Sequence, residues 1–149
     1  AILPHMVGKY LLDVGTGAGL PGIPLAILCS EKHFTLLDSN GKKVRFVRQV
    51  ILELGLKNVE VMQQRIEQFQ PRQQFDVITA RAFTDLKKLF RLTRHLLTED
   101  GKIVAMKGAI STIEKEMEES RDMATETVKL KVPYLNEERH LVIMKNQMG

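Results

Sequence analysis

Apolar residues along this chain gather into short continuous runs bounded by turn formers, and the segments between them repeat their apolar positions at three- and four-residue spacing. Lys9 to Val14 (KYLLDV), His33 to Asp38 (HFTLLD), Val59 to Gln63, Phe75 to Ala80 (FDVITA) and Lys102 to Lys107 (KIVAMK) read as buried strands. Pro24 to Ser30 reads as a helix. A second helix carries Val44, Val47, Ile51 and Leu54 on one side and Lys42, Arg45 and Arg48 on another, with Gly55 as its terminator. A third begins near Asp85 with Leu86, Leu89, Phe90, Thr93, Leu96 and Leu97 on its apolar side, closed by Asp100 and Gly101. Thr112 to Thr125 is a charged, solvent-facing helix. Thr127 to Val132 and His140 to Lys145 are joined by a turn-rich stretch too short for a crossover, so they pair antiparallel. The expectation is an α/β fold: one domain over residues 1–149, with a mostly parallel sheet covered on both faces and a C-terminal antiparallel hairpin.

Composition narrows the function classes. With 44% hydrophobic and 27% charged residues, the chain has the balance of a globular domain. The apolar stretch around Leu20 to Cys29 is interrupted by Pro21 and Pro24 and is too short to span a bilayer. Ala1 to Val7 lacks the pattern of a signal peptide, so a cytoplasmic location is expected, and a further segment before Ala1 is suspected. Cys29 is the single cysteine, which excludes an internal disulfide or a thiolate zinc cluster. His5, His33, His95 and His140 are scattered, so no metal is expected. The net charge of +4 favours an anionic partner without identifying one.

Chemistry enters at the end of the first strand. Parallel sheets bind ligands beyond the carboxyl ends of their strands, and DVGTGAG (Asp13 to Gly19) lies there. Gly15, Gly17 and Gly19 form GxGxG, whereas Gly17, Gly19 and Gly22 form the GxGxxG of dinucleotide binders. The strand ends at Val14, and Pro21 and Pro24 are expected to delay the helix that a pyrophosphate needs at its N-terminus, which favours GxGxG and S-adenosylmethionine. Asp38 ends the second strand about twenty residues later, where a carboxylate can accept both hydrogen bonds of a ribose diol; its plainer reading is a turn or N-cap aspartate. A nicotinamide dehydrogenase is the rival enzyme. It would often carry tyrosine and lysine four residues apart, but Tyr10 is followed at that distance by Val14 and Tyr134 by Glu138.

DVGTGAGLPG (Asp13 to Gly22) and LLDSNGKKVRFVR (Leu36 to Arg48) resemble the bacterial 16S ribosomal RNA guanine-N7 methyltransferases, also called glucose-inhibited division protein B. The likeness continues through RIE (Arg65 to Glu67), FDVITARAF (Phe75 to Phe83), AMKG (Ala105 to Gly108) and ERHLV (Glu138 to Val142), across nearly the whole chain. It implies a seven-stranded, Rossmann-like class I methyltransferase fold and methyl transfer from S-adenosylmethionine to guanine N7 in 16S ribosomal RNA or a small-subunit precursor. It also implies cofactor contacts at Gly15, Leu20, Ile66, Glu67 and Arg81, beside Gly17 and Asp38 from the loop and ribose arguments. Members of that family carry a helical segment before the core that has no counterpart here.

Guanine N7 carries a lone pair and no proton, so the reaction needs positioning rather than a general base, and no catalytic residue is assigned. The chain lacks the Asn/Asp-Pro-Pro-aromatic segment usual in exocyclic-amine methyltransferases, and Cys29 lies too early to be a cytosine C5 nucleophile. Arg81 and Lys107 end strands and can reach the cleft: Arg81 for the cofactor carboxylate or the guanine edge, Lys107 for a substrate phosphate. His140 is a weaker candidate for stacking on a base. Lys42, Arg45 and Arg48, with Lys87, Lys88, Arg91 and Arg94, can guide an RNA backbone or simply form solvated helix faces. No membrane and no protein partner are inferred. The other readings are a small-molecule methyltransferase, which would turn over without RNA, and a nucleoside-binding module without catalysis.

Overall fold

The short apolar runs form central strands because side chains on both of their faces are covered by other elements. The computed structural model describes residues 7–15, 22–81, 86–107, 124–130 and 139–145; at 81, 86–87, 106–107, 124–130 and 139–142 the description is of the backbone. Chain order is β1 (Tyr10–Val14), α1 (Gly22–Leu28), β2 (His33–Asp38), α2 (Gly41–Leu54), β3 (Val59–Gln63), a 3₁₀ turn (Ile66–Gln68), β4 (Phe75–Arg81), α3 (Leu86–Thr93), a second 3₁₀ turn (Arg94–Leu96), β5 (Leu97–Lys107), β6 (Ala124–Leu130) and β7 (Arg139–Lys145). The strands form one sheet in the order β3-β2-β1-β4-β5-β7-β6. Pairing is parallel from β3 through β5, and β7 runs antiparallel to both β5 and β6.

Alternation along the strands divides the core. Leu11, Leu36, Val61, Val77, Val104 and Ile143 share one cluster with Ile23 and Leu25 of α1 and Val44 and Val47 of α2. Leu12, Leu37, Ile78 and Ile103 share the other with Ile66 and Phe69 around the first 3₁₀ turn and Leu89 and Phe90 of α3. Helices α1 and α2 therefore cover one face, and α3 covers the other. Asn58 secures the end of α1: its side-chain amide donates to the carbonyls of Ala26, Cys29 and Lys32 at 3.0–3.1 Å.

Several boundaries differ from the pattern along the chain. Helix α1 starts at Gly22 rather than Pro24, because Pro24 falls in the first turn, where its missing N–H costs no intrahelical bond. Helix α3 stops at Thr93, whose hydroxyl donates back to the Leu89 carbonyl at 2.6 Å. Leu96 and Leu97 are buried as expected, but Leu97 already belongs to β5. Pairing with β4 shifts between Phe75/Leu97 and Val77/Lys102, so Thr98 to Gly101 form an irregular fold-back inside that strand. Leu54, expected on the apolar side of α2, is 53% exposed at its last turn. Strand β6 begins at Ala124 and so takes up Ala124 and Thr125 from the expected charged helix, whose residues 112–123 lie outside the described residues.

Among the described residues, the most heavily buried acid is Asp13, 3% exposed in β1. Its Oδ1 accepts the Thr79 hydroxyl of β4 at 2.9 Å, and its Oδ2 faces the start of α1, where a β-carbon on Gly22 would stand 3.1 Å away. The same β-carbon would lie 2.2 Å from Leu36, which is wholly buried, so only glycine lets α1 approach β1 and β2 this closely. Thr79→Val removes a hydrogen bond from a buried carboxylate at nearly constant volume and should cost about 1–3 kcal/mol of stability, measured by urea unfolding, with Thr79→Ser retaining most of it.

Candidate functional site

Strands β1 and β4 are neighbours, yet β1 leads through α1 to β2 on one side and β4 leads through α3 to β5 on the other. The strand order therefore reverses between β1 and β4, and ligands in such sheets lie beyond the carboxyl ends at that point. Gly15, the residue after β1, has φ +68°, a left-handed conformation, and a β-carbon added there would meet nothing within 4 Å. Its N–H donates to the Leu37 carbonyl at 2.7 Å, tying the turn to the end of β2. That bond places Gly15 next to Asp38.

Asp38 is half-buried, and its Oδ1 accepts the Asn40 N–H at 2.8 Å. Thus part of the plainer reading holds, since the carboxylate braces a turn. The N-cap of α2 is nevertheless Asn40, whose side-chain oxygen accepts from the N–H groups of Lys42 and Lys43 at 3.0 and 3.2 Å. The Asp38 carbonyl accepts the Gln64 N–H at 3.0 Å, which draws the segment after β3 to the same place. Ile66 is buried at the start of the following 3₁₀ turn, and Glu67 is exposed beside it.

These elements enclose a cavity of about 300 Å³ lined by Val14, Gly15, Leu37, Asp38, Ile66 and Glu67, with Ser39, Gln64 and Arg65 on its border. The volume is at the lower end for small-molecule sites, which run to roughly 300–1,000 Å³. Apolar walls from Val14, Leu37 and Ile66 suit a flat aromatic ring, while Asp38 supplies an acceptor for hydroxyls. The residues present fit an adenosine-bearing cofactor. Four of the site residues expected from the sequence, Gly15, Asp38, Ile66 and Glu67, thus meet around one cavity.

Gly17 and Leu20 lie outside the described residues. Arg81 and Lys107 are the last residues of β4 and β5, and the register pairs Arg81 with Met106 and Lys107 with His140. The backbone therefore brings Arg81, Lys107 and His140 to one end of the sheet, the end that carries Gly15; their side chains are outside the description. The basic helices do not come together: α2 and α3 are on opposite faces. Among the described residues, no cluster of His, Cys, Asp and Glu suitable for a metal occurs, and no helix is long and apolar enough to cross a membrane.

Sequence reasoning missed Gln64 and Ser39, whose places in the cavity follow from chain reversals that no apolar pattern announces. It also left Asp13 without a role, although an aspartate inside an apolar strand was the signal. The first described residue of α1 is Gly22, two residues before Pro24, and Gly22 does the close packing expected of the third glycine in a dinucleotide motif, while residues 16–21, where the prolines' effect on the helix start would show, lie outside the described residues.

The N-methyltransferase NodS from Bradyrhizobium japonicum, solved in complex with S-adenosyl-L-homocysteine, has the same fold, with a TM-score of 0.72 and 17% identity over 97% of this chain and 81% of that one. An S-adenosylmethionine-dependent O-methyltransferase from Thermotoga maritima superposes with a TM-score of 0.74 and 12% identity, over 96% of this chain and 62% of that one. The fold, with its sheet order, is that of the class I S-adenosylmethionine-dependent methyltransferases. Within that class, residues 2–142 match the model of the rRNA small subunit methyltransferase G family, and the chain belongs to it. It is 50% identical over 142 residues to ribosomal RNA small subunit methyltransferase G of Laribacter hongkongensis, covering 95% of this chain and 69% of that one. The enzyme of that name from Chromobacterium violaceum is 48% identical over 145 residues, 97% of this chain and 69% of the relative.

Replacement of Asn40 by alanine should cost about 1 kcal/mol through loss of the α2 cap, and Asn40→Asp should preserve most of that stability. Thermal unfolding of the two variants checks this.

Proposed function

We propose that the protein transfers the methyl group of S-adenosylmethionine to N7 of a guanine in 16S ribosomal RNA, acting in the cytoplasm on small-subunit RNA or a precursor particle. The observation that carries this reading is the meeting of Gly15, Asp38, Ile66 and Glu67 around one cavity in a member of the rRNA small subunit methyltransferase G family. Residues 1–149 act as one catalytic domain.

When bound, S-adenosylmethionine supplies an electrophilic methyl group on a sulfonium centre. Asp38 accepts hydrogen bonds from the ribose hydroxyls, and the turn at Gly15 leaves room for the cofactor to approach the backbone. Ile66 packs on the adenine, and Glu67 accepts at its edge. Gly17 and Leu20, from the same glycine-rich motif, would add cofactor contacts. Arg81, ending β4, meets the cofactor carboxylate or the O6 of the guanine, which leaves the N7 lone pair free to attack, and Lys107 receives a substrate phosphate. No residue has to take a proton from N7, so the contribution of these groups is alignment, a term that can reach roughly 7–11 kcal/mol in near-attack geometry.

Asp38→Ala should weaken S-adenosylmethionine binding by about 2–3 kcal/mol, a loss of roughly thirty- to more than a hundredfold, in calorimetric titration. The activity itself is tested by incubating protein, methyl donor and 16S RNA, digesting the RNA and identifying the methylated nucleoside by mass spectrometry. The expected product is 7-methylguanosine, with no turnover when RNA is omitted and a kcat that is flat from about pH 6 to 8, because no general base must lose its proton. Methyl transfer to an exocyclic amine, or to a small molecule without RNA, would refute the assignment.

A further inference from the structure

The two faces of the sheet present different surfaces. The described helices expose five large apolar side chains, Ile27 and Leu28 on α1 and Phe46, Leu52 and Leu54 on α2, and all belong to the face covered by α1 and α2. That face also carries the basic residues of α2, but they are interleaved with the apolar ones, and the Arg48 guanidinium donates to the Val61 carbonyl at 3.4 Å. Among the described side chains, the opposite face exposes no large apolar residue. It offers Lys88 and Arg91 on α3, and Arg65 and Arg72 flanking the first 3₁₀ turn, all exposed. Arg94, the first residue of the 3₁₀ turn after α3, lies over the Phe90 ring with its guanidinium carbon 5.6 Å from the centroid, which holds a cation against the end of that helix.

This second face also has an opening. Strand β3 reaches β4 through residues 64–74, which pass the sheet face with only one 3₁₀ turn. Among the described residues, nothing covers the outer parts of β2 and β3, and a recess of about 600 Å³ lies there. Phe69 lies at its apolar side, Gln68, Gln73 and Glu60 supply amide and carboxylate groups, and Arg72 stands at its border. Gln64 lines both the recess and the cofactor cavity, so the two are adjacent. Glutamine amides donate and accept at once, as base edges do, and an unstacked base can lie against a guanidinium plane such as that of the exposed Arg72.

We propose that ribosomal RNA docks on the face formed by α3 and the 3₁₀ turn, with backbone phosphates on Lys88, Arg91, Arg65 and Arg72 and an unpaired base in the glutamine-lined recess, and that the α1–α2 face takes no part. This deepens the RNA methyltransferase reading and rests on it. Phosphate contacts release counterions, so each contact contributes about 0.7 (single strand) to 0.9 (duplex) to the slope of log affinity against log salt.

The experiment compares the unsubstituted protein with Lys88→Ala/Arg91→Ala and Lys42→Ala/Arg45→Ala, measuring affinity for small-subunit ribosomal RNA across a potassium chloride series. The α3 pair should lower the slope by about 1.4–1.8, whereas the α2 pair should leave it unchanged. Gln73→Ala should weaken RNA binding severalfold with no change of slope. Calorimetric affinity for S-adenosylmethionine should be the same in all four proteins, which separates loss of docking from loss of fold. A slope that changes with the α2 pair, or with neither pair, overturns the assignment of the face. Full RNA affinity in Gln73→Ala removes the recess from it. If the unsubstituted protein binds the methyl donor and no RNA, the RNA reading itself falls, and the docking face with it.

Discussion

A carboxylate sealed inside a protein must find hydrogen bonds there, and Asp13 meets that demand at the position where they matter most. Its bond to Thr79 links the ends of β1 and β4, the two strands between which the sheet reverses direction, and its other oxygen faces the start of α1. Two residues further on, the Gly15 N–H is held by the Leu37 carbonyl of β2. The floor of the cofactor cavity is therefore fixed by polar bonds across three strands, while the surrounding core is apolar. For a reaction in which alignment supplies most of the acceleration, a floor of this kind is what the chemistry asks of the protein.

The walls are built differently. Ile66 and Glu67 belong to a single 3₁₀ turn, anchored by the buried side chains of Ile66 and Phe69 and by the bond from Gln64 to the Asp38 carbonyl. Reducing the β3–β4 connection to that turn keeps one wall of the cavity and, among the described residues, leaves the neighbouring sheet face open. One economy of chain thus produces both the cofactor wall and the polar recess beside it.

Much of this was legible in the order of residues. Continuous apolar runs at β1, β2, β3 and β4 bounded those strands to within a residue, and the Val44/Val47 spacing with Gly55 located α2. The cavity could be foreseen at Gly15 and Asp38 because Gly15 follows one strand and Asp38 ends the next. What escaped was tertiary in origin. Leu97 fits the apolar stripe of α3 and equally fits a strand, and pairing with Phe75 decided for the strand. Leu54 matched the helical period but sits where α2 runs past its support. The separation of the two basic helices depends on which side each crossover passes, and charge patterning contains nothing about that.

The outer end of the sheet has a consequence for how the molecule is made. Strand β7 is inserted between β5 and β6, and β6 joins the sheet only through it. While the chain is being synthesised, β1 to β5 can pair as soon as β5 has emerged, but β6 then has no edge to join. Any sheet that forms before β7 arrives leaves the flank of β5 unpaired, and such an edge is a template for contacts with other chains. The antiparallel strand that completes the sheet thus both closes the β5 edge and gives β6 the only partner it has among the described strands.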